Sequence, residues 1–480
     1  MEKGKTRRKR NLSLLPIGKS GWACSAVGLA LLGAAALCLP MPAAAGTYKS
    51  SAHGSNTTGL YRNAGGVNWL NAPYSYSRGN CAHCHEEHAS MGGAEGIPPA
   101  AATGSPSVYL GFSVEENLCF GCHNVAVPVG SATDKIKTDT DKAYGHGTGT
   151  TLNILGISAR HRANETSVTG VSTSAHVECT DCHNPHVART GNHTAAGVNG
   201  NAITGPSPLE GVSGVDFSPY PSTWANVTSW SAAGATAYAT ATKEYRICFK
   251  CHASSNSNTD DWDGNPAGAN AAKEWTDVGL EFNPANASFH PIITGIANST
   301  SAWKAGAIAA AKLVAPWNAN GGLGTQTMYC SDCHKSDSAV AGPHGSATKW
   351  LLTGTNTAWP YTSAANNGTN AGTFFTPNNY TTGSGATGLF CLNCHTSLSN
   401  PPHLNTSQHK ALACADCHIR VPHGGKVKRL IATTNIPARY KPNGDGTGTT
   451  SLTAVELGTG INTCQASCAS EHSTVRTQKW

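Results

Sequence analysis

Residues 414–425 read Cys414-Ala415-Asp416-Cys417-His418-Ile419-Arg420-Val421-Pro422-His423-Gly424-Gly425. Two thiols three positions apart project from one helical turn, and a histidine follows the second at once. Cys-x-x-Cys-His is the pattern by which two thiols add to the two vinyl groups of a porphyrin while the histidine reaches its iron from the same side. Six more copies stand upstream: Cys81/Cys84/His85, Cys119/Cys122/His123, Cys179/Cys182/His183, Cys248/Cys251/His252, Cys330/Cys333/His334 and Cys391/Cys394/His395. At this composition chance supplies about 0.03 such patterns, so seven copies are not the coincidence that short motifs usually invite. The expected cofactor is therefore haem c, seven copies covalently attached. The fourteen cysteines would be the attachment points and the seven motif histidines the proximal iron ligands.

Two other chemistries use paired cysteines. Structural zinc takes Cys-x-x-Cys units, and secreted chains use cysteines as a disulfide framework. Neither requires a histidine after every second cysteine, and all seven copies have one.

The rest of the chain has little to build a core from. Gly, Ser, Thr, Asn and Ala are abundant, and long periodic apolar runs are nearly absent. Such a chain struggles to offset its conformational entropy by burying side chains. The expected fold is mostly irregular and loop-rich, with short α-helices at the haem sites and a row of stacked haems as its core. Outside the motifs, Trp303 to Val314, Ala-rich and closed by Pro316, reads as a helix.

The second axial ligand separates a closed electron carrier from an open catalytic site. Past the N-terminal leader only Met91 and Met328 remain as methionines, so His/Met ligation is denied to most sites. Bis-histidine iron and low potentials follow. Candidate distal ligands are His88, His186, His290, His344, His409, His423 and His161, with His176, His53, His146 and His403 a further set. His88 and His186 stand three residues after a proximal histidine and cannot reach the opposite face of the same ring, so each should serve a neighbouring haem. Solvent-facing histidine is the alternative at every one of these positions. His83, His193 and His472 have no evident role. Cys464 and Cys468 have the wrong spacing for attachment. A disulfide is the first reading for them, with free thiols or an atypical eighth site as alternatives.

A cationic start, an apolar stretch from Trp22 to Leu39 and Ala43-Ala44-Ala45 read as a secretory signal peptide over residues 1–45, with a retained anchor as the alternative. That leader carries seven of the 33 basic and one of the 27 acidic residues, so the chain beyond it holds 26 of each. The net charge of +6 thus belongs to export and gives no sign of nucleic acid as a partner. No membrane span is expected beyond the leader. Motif spacing is irregular, and the chain divides loosely into 46–200 with sites one to three, 201–320 with site four, and 321–480 with sites five to seven. A continuous haem core would blur those boundaries.

Cys81-Ala82-His83-Cys84-His85-Glu86-Glu87-His88, Cys179-Thr180-Asp181-Cys182-His183-Asn184-Pro185-His186 and the stretch quoted first resemble the secreted multihaem c-type cytochromes of metal-reducing bacteria, including those with doubled motifs. The resemblance covers the haem sites and little of the loops. It implies a periplasmic, outer-surface or extracellular protein that carries respiratory electrons by haem-to-haem hopping. Its partners would be other multihaem redox proteins or extracellular metal oxides. Some members of that group polymerise, so a homo-oligomer or filament subunit is one alternative. A reductase acting on a small oxyanion at a five-coordinate haem is another, although no motif histidine is replaced.

Overall fold

The computed structural model describes residues 47–60, 77–85, 115–120, 122–124, 136–146, 177–191, 200–217, 220–221, 230–232, 241–253, 277–296, 308–319, 324–367, 371–380, 385–396, 412–433, 436–437, 440–442, 454–456, 464–465 and 477–478. The chain divides into two units, Met1–Gly46 and Thr47–Trp480. The first lies outside the described residues. Among the described residues no helix is long and apolar enough to cross a membrane.

Within Thr47–Trp480 the architecture is loops punctuated by short helices and very small sheets. The helices are α1 (Thr47–Ser50), α2 (Glu115–Phe120), α3 (Ile136–Thr140), α4 (Cys179–Cys182), α5 (Glu244–His252), α6 (Val278–Glu281) and α7 (Cys414–Cys417). Single 3₁₀ turns cover Cys81–His83, Cys330–Asp332 and Phe390–Asn393. A turn of helix therefore reaches into every Cys-x-x-Cys-His.

The sequence explains why turns this short close. In three motifs the residue before the second cysteine is an aspartate, and its carboxylate accepts the backbone N–H just ahead of the turn. Glu178 N–H donates to Asp181 at 2.9 Å, Tyr329 N–H to Asp332 at 2.8 Å and Ala413 N–H to Asp416 at 3.0 Å. This is the reciprocal half of a capping box, satisfying donors a short helix would leave orphaned. Site one achieves it from the other side, where Asn80 accepts from Ala82 N–H at 2.9 Å.

The strands are β1 (Tyr144–Gly145), β2 (Val215–Phe217), β3 (Trp230–Ala232), β4 (Ser288–Phe289), β5 (Gly345–Ser346), β6 (Asn356–Ala358), β7 (Gly385–Leu389), β8 (Gly424–Gly425), β9 (Ala454–Glu456), β10 (Cys464–Gln465) and β11 (Thr477–Gln478). Two antiparallel ladders matter most: β1 with β5, placing Gly145 opposite Gly345, and β4 with β8, placing Phe289 opposite Gly424. Glycine is required there by close approach. A Cβ on Gly345 would lie 1.8 Å from the Asp139 carbonyl oxygen, and one on Gly424 would lie 2.0 Å from that of Glu281.

The apolar core comes in patches, each of the two largest abutting cysteines of the repeated motif. The first gathers Phe217, Tyr245, Phe249, Phe282, Ile292, Ile293 and Met328, with Cys330, Cys333 and Cys394 against it. The second, around Trp359, Phe375 and Leu389, touches Cys391 and Cys414. Tyr245 and Phe249, one turn apart on α5, meet with ring centres 5.1 Å apart. Met328 is buried in the first patch. Met91 lies outside the described residues.

The helix read over Trp303 to Val314 needs correcting at its described end. Ala310–Lys312 is one 3₁₀ turn, and Leu313 is extended and bridges His395. Val314 N–H likewise donates to the Cys394 carbonyl at 2.9 Å. Pairing with a motif backbone overrides the alanine propensity that suggested helix.

Cys464 lies in β10 opposite Val455, whereas Cys468 lies outside the described residues, so the pairing read for them is not in view. Hydrogen bonds cross both expected internal boundaries: Arg189 N–H reaches Ser207 O at 3.0 Å, and Asn201 N–H reaches Thr327 Oγ1 at 3.3 Å.

Candidate functional site

The motif turns bring the two cysteines of a pair into one hydrogen-bonded turn of backbone. Cys84 N–H donates to Cys81 O at 3.1 Å, Cys122 N–H to Cys119 O at 3.0 Å, Cys333 N–H to Cys330 O at 3.1 Å and Cys394 N–H to Cys391 O at 3.2 Å. Cys179 and Cys182 open and close α4, and Cys414 and Cys417 do the same for α7. Two of the fourteen expected attachment points are less well defined. Cys122 lies beyond the end of α2 with its thiol half-buried, so no described helix carries both cysteines of site two. Cys251 takes its backbone place in the last turn of α5, three residues after Cys248, while its side chain lies outside the described residues. The thioether expected at Cys251 is therefore not in view.

Five motif histidines each face one histidine from elsewhere in the chain. His85 stacks on His186 with ring centres 5.9 Å apart and planes at 8°, and His183 faces His344 at 6.0 Å and 22°. His123 meets His53 at 6.1 Å and 66°, His252 meets His146 at 5.8 Å and 78°, and His334 meets His423 at 5.9 Å and 79°. At the sixth motif, His395 interacts electrostatically with His290. Each partner is used once.

That spacing can be tested against a metal. Two imidazole nitrogens each about 2 Å from one iron, with roughly 1 Å from nitrogen to ring centre, put ring centres about 6 Å apart. Direct imidazole packing has no reason to repeat one separation at five angles from 8° to 79°. An iron between the rings fixes the separation and leaves the rotation free. The residues present therefore fit iron held from two sides, with paired cysteines beside each motif histidine.

The tautomers agree. His183 Nδ1–H donates to Pro208 O at 3.0 Å, His334 to Trp350 O at 2.6 Å and His418 to Arg429 O at 3.2 Å. Among the facing histidines, His53 donates to Pro185 O at 3.2 Å, His146 to Pro343 O at 2.7 Å and His290 to Pro422 O at 2.5 Å. A carbonyl can only accept, so Nδ1 carries the hydrogen and the Nε2 lone pair is left for a metal. Burial pushes His290, His334 and His344 down to about 4, which keeps these rings neutral.

The prolines reveal a module. Pro185, Pro343 and Pro422 immediately precede His186, His344 and His423. Each Pro-His follows an attachment motif, at sites three, five and seven, and faces the motif histidine of the site two earlier. The proline carbonyl then orients the histidine serving the site between. Backbone bonds reinforce the link: Ala52 N–H to Ala188 O at 2.8 Å, the β1–β5 ladder, and His290 N–H to His423 O at 2.8 Å. Downstream of two of these Pro-His pairs the chain returns to hold its own motif. His334 bridges Leu352 and His418 bridges Ile431. The carbonyls used there belong to Trp350 and Arg429, both at φ 60°, followed by Leu351 at 54° and Leu430 at 56°. Left-handed non-glycine residues are strained and cluster where function demands them.

Neighbouring thiols give the order of the sites. Cys182 interacts with Cys248, Cys330 hydrogen-bonds Cys248, Cys333 interacts with Cys394, and Cys414 with Cys391. α2, at site two, packs against α4, at site three, and His53, which faces site two, leans on Pro185 beside the histidine that faces site one. From site two to site seven each motif thus lies beside the next in sequence order. Burial pushes the Cys391 thiol up to about 11 and that of Cys182 to about 12. Glu244, Cys248 and Cys330 are the one cluster of metal-ligating atoms found among the described residues. Both Glu244 oxygens are already engaged there, by Ser331 N–H at 2.9 Å and its hydroxyl at 2.6 Å.

Of the sequence candidates, His53, His146, His186, His290, His344 and His423 are thus brought to motif histidines. His88, His161, His176, His403 and His409 lie outside the described residues. His83 is buried with Nε2 on Ser77 O at 3.1 Å. Comparison with known protein families, with curated proteins and with solved structures finds no match to this chain.

Proposed function

We propose that the chain is a heptahaem c-type cytochrome that carries electrons along its seven attachment sites. One observation supports this above the others: five motif histidines each face a different second histidine at 5.8 to 6.1 Å, across a gap suited to one iron. Bound there, haem supplies reversible one-electron oxidation and reduction.

The chain's own residues do the rest. Paired cysteines would anchor the ring, and the motif histidine would hold its iron from one side. The facing histidine would hold it from the other and keep out water or substrate, which favours a carrier over a reductase. Peptide carbonyls hold the imidazoles by Nδ1, so little rearrangement accompanies a change of charge. Neighbouring motifs in contact keep the gaps short.

The test is haem content of the exported protein by mass and by pyridine haemochrome absorbance, together with low-temperature spin resonance. Seven haems and low-spin ferric signals are expected. A colourless protein overturns the reading. A native protein whose reduced haems take up carbon monoxide favours the oxyanion reductase.

A second reading, subunit of a head-to-tail assembly, is favoured by the module. Each short-spaced histidine after an odd-numbered motif serves the site two earlier. His88 follows His85 at the spacing by which His186 follows His183, and none of the seven motifs lies two before the first. By that register His88 serves site seven of a second copy. In this reading His88→Ala keeps seven haems but yields only single subunits by electron microscopy, and polymers that persist in the variant refute it.

A further inference from the structure

One histidine facing a motif is held by a carboxylate. Where His53, His146 and His290 donate Nδ1–H to peptide carbonyls, His423 donates to the carboxylate of Glu281, Nδ1 to Oε2, at 2.5 Å. Glu281 is 0% exposed. Its other oxygen accepts the hydroxyl of Tyr440, equally buried, at 2.6 Å. The surroundings hold it rigidly. Asp277 caps α6 through Gly279 and Leu280 N–H, Asn286 Nδ2 donates to the Glu281 carbonyl at 2.7 Å, and Gly424 presses against that carbonyl. Phe282, the next residue, lies over the His423 ring with centres 4.8 Å apart.

Burying a carboxylate is costly, and this one is spent on a single imidazole and a single phenol. A hydrogen bond to a carboxylate is charge-assisted and stronger than one to a carbonyl. It draws the Nδ1 proton away from the ring and makes Nε2 a more basic ligand. A more basic axial ligand stabilises ferric over ferrous iron, and such hydrogen bonding is one of the protein's means of setting a haem potential.

We propose that Glu281 is a positioning residue that lowers the reduction potential of site five, through His423, below what a carbonyl acceptor would give. This rests on the cytochrome reading above. Tyr440 tempers the effect by competing for the same carboxylate. The two residues therefore act in opposite directions, which a purely structural role would not produce.

The experiment uses the full-length holoprotein in native, Glu281→Gln and Tyr440→Phe forms. Haem content comes first, since a native chain without haem refutes the cytochrome reading itself. Redox titration followed by visible absorbance and spin resonance comes next. In Glu281→Gln one of seven midpoints should rise by about 59 mV, a tenfold change in the oxidised-to-reduced ratio for one electron. In Tyr440→Phe the same midpoint should fall. The haem that responds should show the spectrum of strongly crossed imidazoles, as His334 and His423 stand at 79°. An unchanged or lowered midpoint in Glu281→Gln overturns the proposal, as does any rise in Tyr440→Phe. Should Glu281→Gln not assemble, Tyr440→Phe alone decides, and an unmoved midpoint there also overturns it.

Discussion

An imidazole that gives its Nδ1 hydrogen to a carbonyl has one lone pair left, and its direction is fixed by the peptide it leans on. His344 departs from this. Its Nδ1 is buried with no hydrogen-bond partner among the described residues, and the backbone of Gly342, at φ 95°, lies close to its ring. Its seat between the motif histidine and its own loop orients it. Replacing His344 by Ala should leave all seven attachments intact, because the cysteines are untouched, while opening one axial face. Carbon monoxide uptake by one reduced haem and one new high-spin ferric signal are the expected readouts. The strained pair Arg429-Leu430 offers a second test at this scale. Arg429 is exposed, so Arg429→Gly relieves left-handed strain without losing packing, against the entropy of a freer unfolded chain. A net gain of about 0.5–1 kcal/mol is expected, read as a higher denaturant midpoint.

Among the elements, two-residue ladders do work usually given to whole sheets. β1–β5 and β4–β8 each tie the histidine of an even site to that of the preceding odd site. Gly345→Ala would drive a Cβ into the Asp139 carbonyl, and the backbone must shift. A loss of roughly 1–3 kcal/mol is expected. Spectral change should be confined to sites three and four, which share that ladder. In the native protein the ring angles themselves should sort the ferric signals. With iron held as proposed, near-parallel imidazoles at sites one and three would split its d orbitals and give rhombic spectra. Crossed ones at sites two, four and five would leave them nearly degenerate and give large anisotropy. A uniform rhombic spectrum would count against the described ring orientations.

How much of this could be read from residues depended on distance along the chain. The motifs and their turns are local, and seven copies of Cys-x-x-Cys-His announce themselves. The short-spaced His186 could also be assigned to a neighbouring site by simple reach. His53 and His146 could not, because they stand 70 and 106 residues from the histidines they face and sit in unremarkable polar loops. One signal was present and unused: three histidines facing odd sites follow a proline, and Gly345 and Gly424 stand directly after two of them. The loops after those two are related as well, His344-Gly345 to Leu351 and His423-Gly424 to Leu430, each with a lysine five residues on. Glu281 had no local mark at all, since its role depends on contacts 142 and 159 residues away.

For the molecule as a whole, charge offers the plainest check. The chain beyond residue 45 holds 26 basic and 26 acidic residues. Two propionates on each of seven haems would add about 14 carboxylates and turn a neutral polypeptide acidic. Isoelectric focusing of the holoprotein should find it well below the pI of about 8.5 that the full sequence implies. Docking to basic surfaces should weaken with salt.

The Pro-His module bears on how such a chain can change length over evolutionary time. One copy of it completes the odd site behind and aims the ligand of the even site between. Duplication or deletion of a single attachment motif would strand an imidazole, whereas a block carrying two motifs and one Pro-His can enter or leave without disturbing its flanks. Growth by such blocks preserves parity, and a heptad of sites is what three of them leave beyond a founding one.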